Sequence, residues 1–421
     1  MIDRCLWTDT APRLDCPPAQ LPERADVAVV GGGYTGLSAA RALARHGADV
    51  VLLEQRTLGW GASGRNGGFV LPGYNPDMEA LARRHGLDVA RRMFETSLEA
   101  VRAVERLVAD EGIACDYARY GAVTLAARPA HLTVMKRAGR FLRDQLGYET
   151  ELLGFEEVRQ EIGSARYHGG LVDPGGAALQ PAKYARGLAV AAMRAGARLV
   201  ERAGVRGVRR APAGFELLTS VGVLTARHVL VATDGYSGPA FPPLRRRVVP
   251  IGSYLIATAP LDPGLARRLV PNNRVLSDSK HLLFYFRLSP DGRMVFGGRA
   301  SFTPTSTARS AQILEAGMRR VFPDLAGTPI EYAWGGKVGL TIDLLPHTGQ
   351  LDGVHYALGY CGHGVALSTY LGSRMGDALA GRAPFPDLDG RRFRAIPLYR
   401  GWPWFLPLVG GYYRIRDWLG T

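Results

Sequence analysis

The sequence predicts an α/β fold in which a discontinuous, mostly parallel sheet with covering helices is joined to a second, α+β domain built on an antiparallel sheet. Three observations predict it. A strand, a glycine turn, a helix and a second strand follow one another over residues 26–54. A strand, glycine turn and helix recur over residues 354–380, and a β-rich stretch lies between the two at residues 248–301. At 421 residues the chain can build about two domains, so a first domain interrupted by a second is the simplest arrangement.

The opening strand is the run VAVV at residues 27–30, short, rich in valine and bounded by Asp26 and glycine, as a buried parallel strand should be. Gly31, Gly33 and Gly36 then stand at the G-x-G-x-x-G spacing, which permits a tight turn, close approach to a pyrophosphate and close helix packing. A helix over residues 34–46 would present its free N–H groups and positive dipole end to that phosphate, and Gly47 ends it. Residues 49–53 form the next strand. Glu54 ends it 18 positions after Gly36, near the spacing of about 20 at which an acid binds ribose hydroxyls. Together these features predict a Rossmann-like dinucleotide site.

Beyond Glu54 comes a glycine-rich loop, QRTLGWGASGRNGGFVLPG, too long for a simple turn. Helix is expected over residues 77–109, a strand over 121–127, and helices over 130–146 and 181–195, the last opened by Pro181. Residues 197–232 alternate as strands, ending in a parallel-type strand that runs into Thr233, Asp234 and Gly235. The β-rich stretch carries a hairpin turn at Pro290, Asp291 and Gly292, followed by a helix over residues 308–321. Residues 354–358 read as strand, 359–364 as a glycine turn and 365–380 as helix. The nucleotide domain should therefore comprise residues 25–75, 150–238 and 334–385, and the second domain residues 76–149 and 239–333. Residues 1–24 form an extension and 386–421 a tail.

Composition narrows the function. Hydrophobic residues make up 47% and charged residues 21%, ordinary for a globular protein, and no apolar stretch approaches the roughly 18 residues of a membrane span. The first residues carry charges and prolines where a secretory signal needs an apolar core, so a cytoplasmic location is expected. Cys5, Cys16, Cys115 and Cys361 are scattered without a C-x-x-C pair, which indicates neither a disulfide framework nor a metal site. The net charge of +14 comes from dispersed arginines, read as solvated faces rather than a nucleic-acid surface. Arg245, Arg246 and Arg247 are the densest cluster; a phosphate-binding or steering patch is one reading, and a solvated loop is the expected one. The aromatic tail GWPWFLPLVGGYYRIRDW has two readings, a contact to a membrane surface or partner, or packing over the body or at an oligomer contact; the second is expected, because prolines and glycines spoil a continuous amphipathic helix.

The motifs GGGYTG at residues 31–36, Glu54, GASGRNGG at 61–68, ATDGY at 232–236 and GYCGHGVAL at 359–367 resemble, in order, those of the flavin-dependent amine and amino-acid oxidases related to D-amino-acid oxidase. The N-terminal CLWTDTAPR, the GWGASGRNGG loop and TIDLLPHTGQ look closest to the γ-glutamylputrescine oxidoreductase branch. The resemblance implies noncovalent FAD. Gly31, Gly33, Tyr34 and Thr35 would hold its pyrophosphate, with Gly36 closing the turn, and Glu54 with neighbouring Gln55 would take the ribose. Val205 would meet adenine, with Thr233 and Gly235 near the same end. Gly61, Ala62, Ser63, Arg65, Asn66, Gly67 and Gly68 would wrap the isoalloxazine, Ser63, Arg65 and Asn66 offering donors; a covering Ω-loop is the bland alternative. Gly362, His363, Gly364 and Val365 would offer N–H groups to the ring edge that becomes negative on reduction. His363 has two readings: a contact to substrate or oxygen, or a turn residue whose backbone alone matters.

The implied reaction is hydride transfer from the carbon beside a small-molecule amine, giving an imine that water hydrolyses, with oxygen or another acceptor taking the electrons. The amino-acid oxidising relatives carry W-x-G-x-R-P-x-T-x-D; here Trp334 begins WGGKVGLTID and Val338 occupies the arginine position. An amine lacking a free α-carboxylate is the expected substrate, unless Arg287, Arg299 or Lys337 replaces that arginine. Tyr254, His281, Tyr285 and Arg299 are candidate substrate contacts on strands of the second domain, core packing being the other reading of each. D-amino-acid or sarcosine-type oxidation is the nearest alternative. A nicotinamide dehydrogenase, a flavin hydroxylase, an RNA-modifying flavoprotein and a non-catalytic flavin binder rank below it.

Overall fold

In the computed structural model, which describes residues 2–12, 14, 20–298, 305–386 and 392–419, two large sheets of eight and nine strands divide the chain between them. The eight-stranded sheet is built around the strand Arg24–Val30, which pairs in parallel with Val50–Leu53 on one side and Val223–Val231 on the other. Arg198–Val200 extends it beyond Val50–Leu53, and Val354–Leu358 pairs in parallel with the end of Val223–Val231. Val27, Ala28, Val29 and Val30 are all buried, which explains their unbroken apolar run: both faces are covered. The helix Tyr34–Arg45 packs on this sheet and against the helix Gly364–Leu379, where Gly372 and Gly376 leave no room for a Cβ against the carbonyls of Thr35 and Ala39.

The nine-stranded sheet runs Ile2–Asp3, Ile330–Leu340, Val249–Thr258, Met294–Gly298, Phe284–Leu288, Val275–Asp278, Ala122–Leu125, Gly170–Asp173 and Glu151–Leu153. The expected hairpin is present, Gly292 taking a positive φ of 78°. Phe286 and Phe296 stack at 5.3 Å beneath the helix Thr307–Val321.

The structure corrects several expectations. Gly86, at φ 90°, breaks the helix expected over residues 77–109 into Met78–His85 and Leu87–Asp110. The β-rich stretch contains the helix Pro263–Leu269, capped by Asp262, whose carboxylate accepts the Gly264 and Leu265 N–H groups. The sheet is mixed: Val275–Asp278 runs parallel to Ala122–Leu125. Strands at Glu151–Leu153, Gly170–Asp173 and Ile330–Leu340 hydrogen-bond into it, so backbone pairing crosses the boundaries drawn at residues 150 and 334. The tail forms the helix Leu406–Leu419; Pro407 falls in its first turn, where no intrahelical N–H is needed. Among the described residues no helix is long and apolar enough to cross a membrane, and no group of three acidic, histidine or cysteine side chains is placed to hold a metal.

Candidate active site

A cleft of about 700 Å³ opens where the parallel strands end. Its lining includes residues immediately beyond four of them: Gly31 after Arg24–Val30, Glu54 after Val50–Leu53, Ala232 after Val223–Val231, and Tyr360 just beyond Val354–Leu358. Ligands in open α/β sheets occupy this edge because the connections diverge there and helix N-termini face inward.

At the glycine turn, Gly31 takes φ 112° and Gly36 sits so close to the Gly31 carbonyl that no side chain fits. Gly36 therefore does not line the cleft; it brings helix onto strand. The Tyr34 N–H donates to Ser63 Oγ at 2.9 Å, and the Thr35 hydroxyl lies 2.8 Å from the Tyr360 hydroxyl. Glu54 Oε2 accepts the Gly32 N–H at 2.7 Å and Oε1 accepts the Arg56 N–H at 2.8 Å. Burial raises its carboxyl above the ordinary value, against the pull of those two N–H groups. Gln55 and Val205 line the same end, beside Arg202 and Ser220.

The loop over residues 61–68 places Gly61, Ala62, Ser63 and Asn66 on the cleft wall, while Arg65, Gly67 and Gly68 lie behind it. The donors expected of Arg65 and Asn66 point elsewhere. Arg65 Nε donates to the Trp60 carbonyl at 2.8 Å and Nη1 to the Gly335 carbonyl at 3.2 Å. Asn66 Nδ2 donates to the Ala62 and Ser63 carbonyls, and its Oδ1 accepts the Gly68 N–H at 2.7 Å. Two indoles brace the loop from outside: Trp334 donates to the Arg65 carbonyl at 2.9 Å and Trp7 to the Asn66 carbonyl at 2.8 Å, their rings 6.1 Å apart. Trp334 is thus a loop support rather than a cleft residue. Arg287 is buried, donates to the Leu179 and Gly68 carbonyls, and is held down to about 10 by burial.

Thr233 lies against Gly31 at the glycine turn, and Lys337, Val338, Gly362, Gly364 and Val365 also line the cleft. Gly364 and Val365 begin the helix Gly364–Leu379, whose first N–H groups have no intrahelical partner. His363, just before it, is not on the cleft wall; its ring Nδ1 is enclosed without a hydrogen bond, and burial pushes the imidazole down to about 4. Gly235 packs behind the wall against the Gly339 backbone.

The candidate substrate contacts are placed unequally. Tyr285 covers Gly67 and its hydroxyl lies 3.0 Å from Ser253 Oγ, so the nine-stranded sheet roofs the loop there. Tyr254 lies against Gly335 and donates to the Thr305 carbonyl at 3.1 Å. His281 is exposed in the turn preceding Phe284–Leu288, not on a strand as expected. Arg299 lies outside the described residues. None of the first three lines the cleft.

Sequence reading passed over Asp234, Trp60, Tyr236 and Tyr360. Asp234 takes φ 41°, is half-buried and accepts the Gly359 N–H at 2.7 Å and the Gly339 N–H at 3.3 Å; the enclosure of its carboxyl raises it above the ordinary value. The Tyr236 hydroxyl accepts the Lys337 N–H at 3.1 Å, and its ring meets Trp60 edge-on at 5.8 Å. An aspartate inside a glycine turn tolerates the left-handed region and accepts nearby N–H groups, so ATDGY carried the signal.

A glycine cradle at a helix N-terminus, a carboxylate 18 residues on and an elongated cleft fit a dinucleotide. Turns from three distant segments closing the far end extend that fit to a flavin ring. The fold and cleft therefore define a dinucleotide-dependent flavoprotein with a two-sheet architecture. Residues 26–378 match the FAD dependent oxidoreductase (DAO) family, and the chain belongs to it. It is 34% identical to gamma-glutamylputrescine oxidoreductase of Escherichia coli (strain K12), across 94% of this chain and 93% of the relative. Glycine oxidase from Geobacillus kaustophilus superposes with a TM-score of 0.72 at 22% identity, covering 90% of this chain and all of the other. L-proline dehydrogenase from P. horikoshii superposes with a TM-score of 0.71 at 20% identity, over 87% and 96% of the two chains.

Proposed function

We propose that this FAD-dependent oxidoreductase oxidises an amine of the γ-glutamylputrescine type, at the carbon beside a primary or secondary nitrogen. The observation that carries the reading is Val338 on the cleft wall, where the amino-acid oxidising pattern has arginine. Of the cations that could replace it, Arg287 is turned into the protein and bonded to backbone carbonyls. Lys337 lines the cleft beside Val338 with its ammonium over the Tyr236 ring, and Arg299 lies outside the described residues, so an α-carboxylate beside the reacting carbon would lack the guanidinium that the amino-acid oxidising pattern supplies, which disfavours amino acids. The extensive similarity to the E. coli enzyme supports the same substrate class.

Bound FAD supplies the two-electron acceptor for a hydride from the substrate carbon, and water hydrolyses the resulting imine to an aldehyde and a free amine. The protein's part is positional. Gly31, Gly33 and Thr35 would hold phosphate at the positive end of the helix Tyr34–Arg45, and Glu54 would hold the ribose. The N-terminus of Gly364–Leu379 would offer its unpaired N–H groups to the ring edge that becomes negative on reduction. His363, neutral at pH 7, adds no cation that would repel an ammonium group. The cofactor is held noncovalently, with oxygen, giving hydrogen peroxide, or a carrier as final acceptor.

Incubating the holoprotein with γ-glutamylputrescine, putrescine, sarcosine and D-amino acids, with the aldehyde trapped and the acceptor's reduction followed, tests the substrate class. Higher kcat/KM for an α-amino acid than for every amine would overturn it.

A further inference from the structure

The arginine cluster and the aromatic tail, both unused by the cleft, meet on one surface. Arg245, Arg246 and Arg400 surround a hollow of about 250 Å³ with Pro239 and Pro242, and among the described residues no acidic side chain lines it. Arg245 lies against Gly401 so closely that a Cβ there would collide with its guanidinium, and the Ile396 N–H donates to the Arg246 carbonyl at 2.9 Å. The tail is anchored through Tyr399 and Leu406, both buried against Val249 and Ile251. Other side chains of the same segment are open to solvent: Leu398 is 82% exposed, Trp402 72%, Trp404 51% and Leu408 72%. The tail, residues 386–421, contains six arginines and three acids, Asp387, Asp389 and Asp417.

We infer that this face docks the protein onto a bilayer containing anionic lipids. Trp402, Trp404, Leu398 and Leu408 would enter the headgroup boundary, where indole rings and apolar side chains gain most, while the three arginines meet lipid phosphates. Charge complementarity selects this occupant. A second copy paired about a two-fold axis would set the same unpaired arginines against each other, whereas an anionic membrane neutralises them. Pro239 lines both the hollow and the cleft, so the docking surface adjoins the cleft. The inference is independent of which amine is oxidised.

The test is co-sedimentation of the full-length holoprotein with vesicles of equal parts phosphatidylglycerol and phosphatidylcholine, and with phosphatidylcholine alone. The holoprotein should pellet with the mixed vesicles only, and added salt should release it. Arg246→Gln with Arg400→Gln, both exposed positions, should weaken partitioning roughly 30-fold, and Trp402→Ala with Trp404→Ala should do so by at least as much, each pair retaining bound flavin. No pelleting with the mixed vesicles overturns the inference, as does pelleting that the tryptophan pair leaves unchanged. Competition by inorganic phosphate beyond that of chloride at equal ionic strength assigns the hollow to free phosphate. A dimer abolished by the tryptophan pair assigns the face to a second copy. Either result also overturns the inference.

Discussion

Asp234 Oδ1 accepts the Gly359 N–H at 2.7 Å while Oδ2 accepts the Gly339 N–H at 3.3 Å, so one buried carboxylate joins three segments that meet at the cleft. Asp234→Ala leaves those N–H groups unpaired in the interior and should cost about 2–4 kcal/mol of stability. Asp234→Asn retains one acceptor and should cost less. Urea unfolding of the holoprotein at fixed FAD measures both, and an alanine variant as stable as the parent would contradict the latch.

Glu54 orders the glycine turn through Gly32 and faces the expected ribose position. Glu54→Ala should weaken FAD binding by about 1.5–3 kcal/mol, the range for hydrogen bonds to a charged group. Because burial raises its carboxyl, affinity should fall on acidification with a midpoint above the ordinary carboxylate value. Flavin fluorescence titration across pH reads this directly; a pH-independent affinity in the parent would count against it.

Val338→Arg restores the cation of the amino-acid oxidising pattern at the cleft wall. The variant should gain α-amino-acid turnover and lose efficiency with the amine. If α-amino-acid turnover does not rise, another residue already serves the carboxylate, and the substrate argument from Val338 fails.

His355 is buried, and its imidazole is pushed down to about 4 by burial and by neighbouring His228. Below the unfolded value near 6.5 the unfolded chain binds more protons than the folded one. This histidine therefore removes stability as pH falls from about 6.5 to 4, and has no further effect below that. His355→Gln should lack that component, so the Tm difference between the two proteins should change across this window and be flat above it.

Cys361 lines the cleft, but burial pushes its thiol up to about 12, leaving little thiolate for attachment or alkylation. Acid denaturation should release the flavin into the supernatant, and iodoacetamide should modify Cys361 only after unfolding. Flavin retained on the precipitated chain would refute noncovalent binding.

Residues whose role follows from local backbone were legible in the sequence. Gly31, Gly33 and Gly36 declare a turn by spacing, and the adjoining strand and helix declare themselves by period. The helix Pro263–Leu269 was also signalled, by Asp262 and Pro263 at its start, yet its single short turn pattern was lost within β-rich flanks. Residues whose role depends on distant partners were not legible. Nothing local to Arg65 or Trp334 shows that one bonds Trp60 and Gly335 while the other bonds Arg65. Arg287 likewise resembles a substrate cation until the fold turns it toward Gly68 and Leu179.

The most direct test of the central claim is the visible spectrum of the anaerobic holoprotein before and after γ-glutamylputrescine, putrescine, sarcosine and D-amino acids are added separately. Bleaching of the flavin band by an amine lacking an α-carboxylate next to the reacting carbon is the predicted result. A flavin band bleached only by α-amino acids, or by none of these compounds, would contradict it.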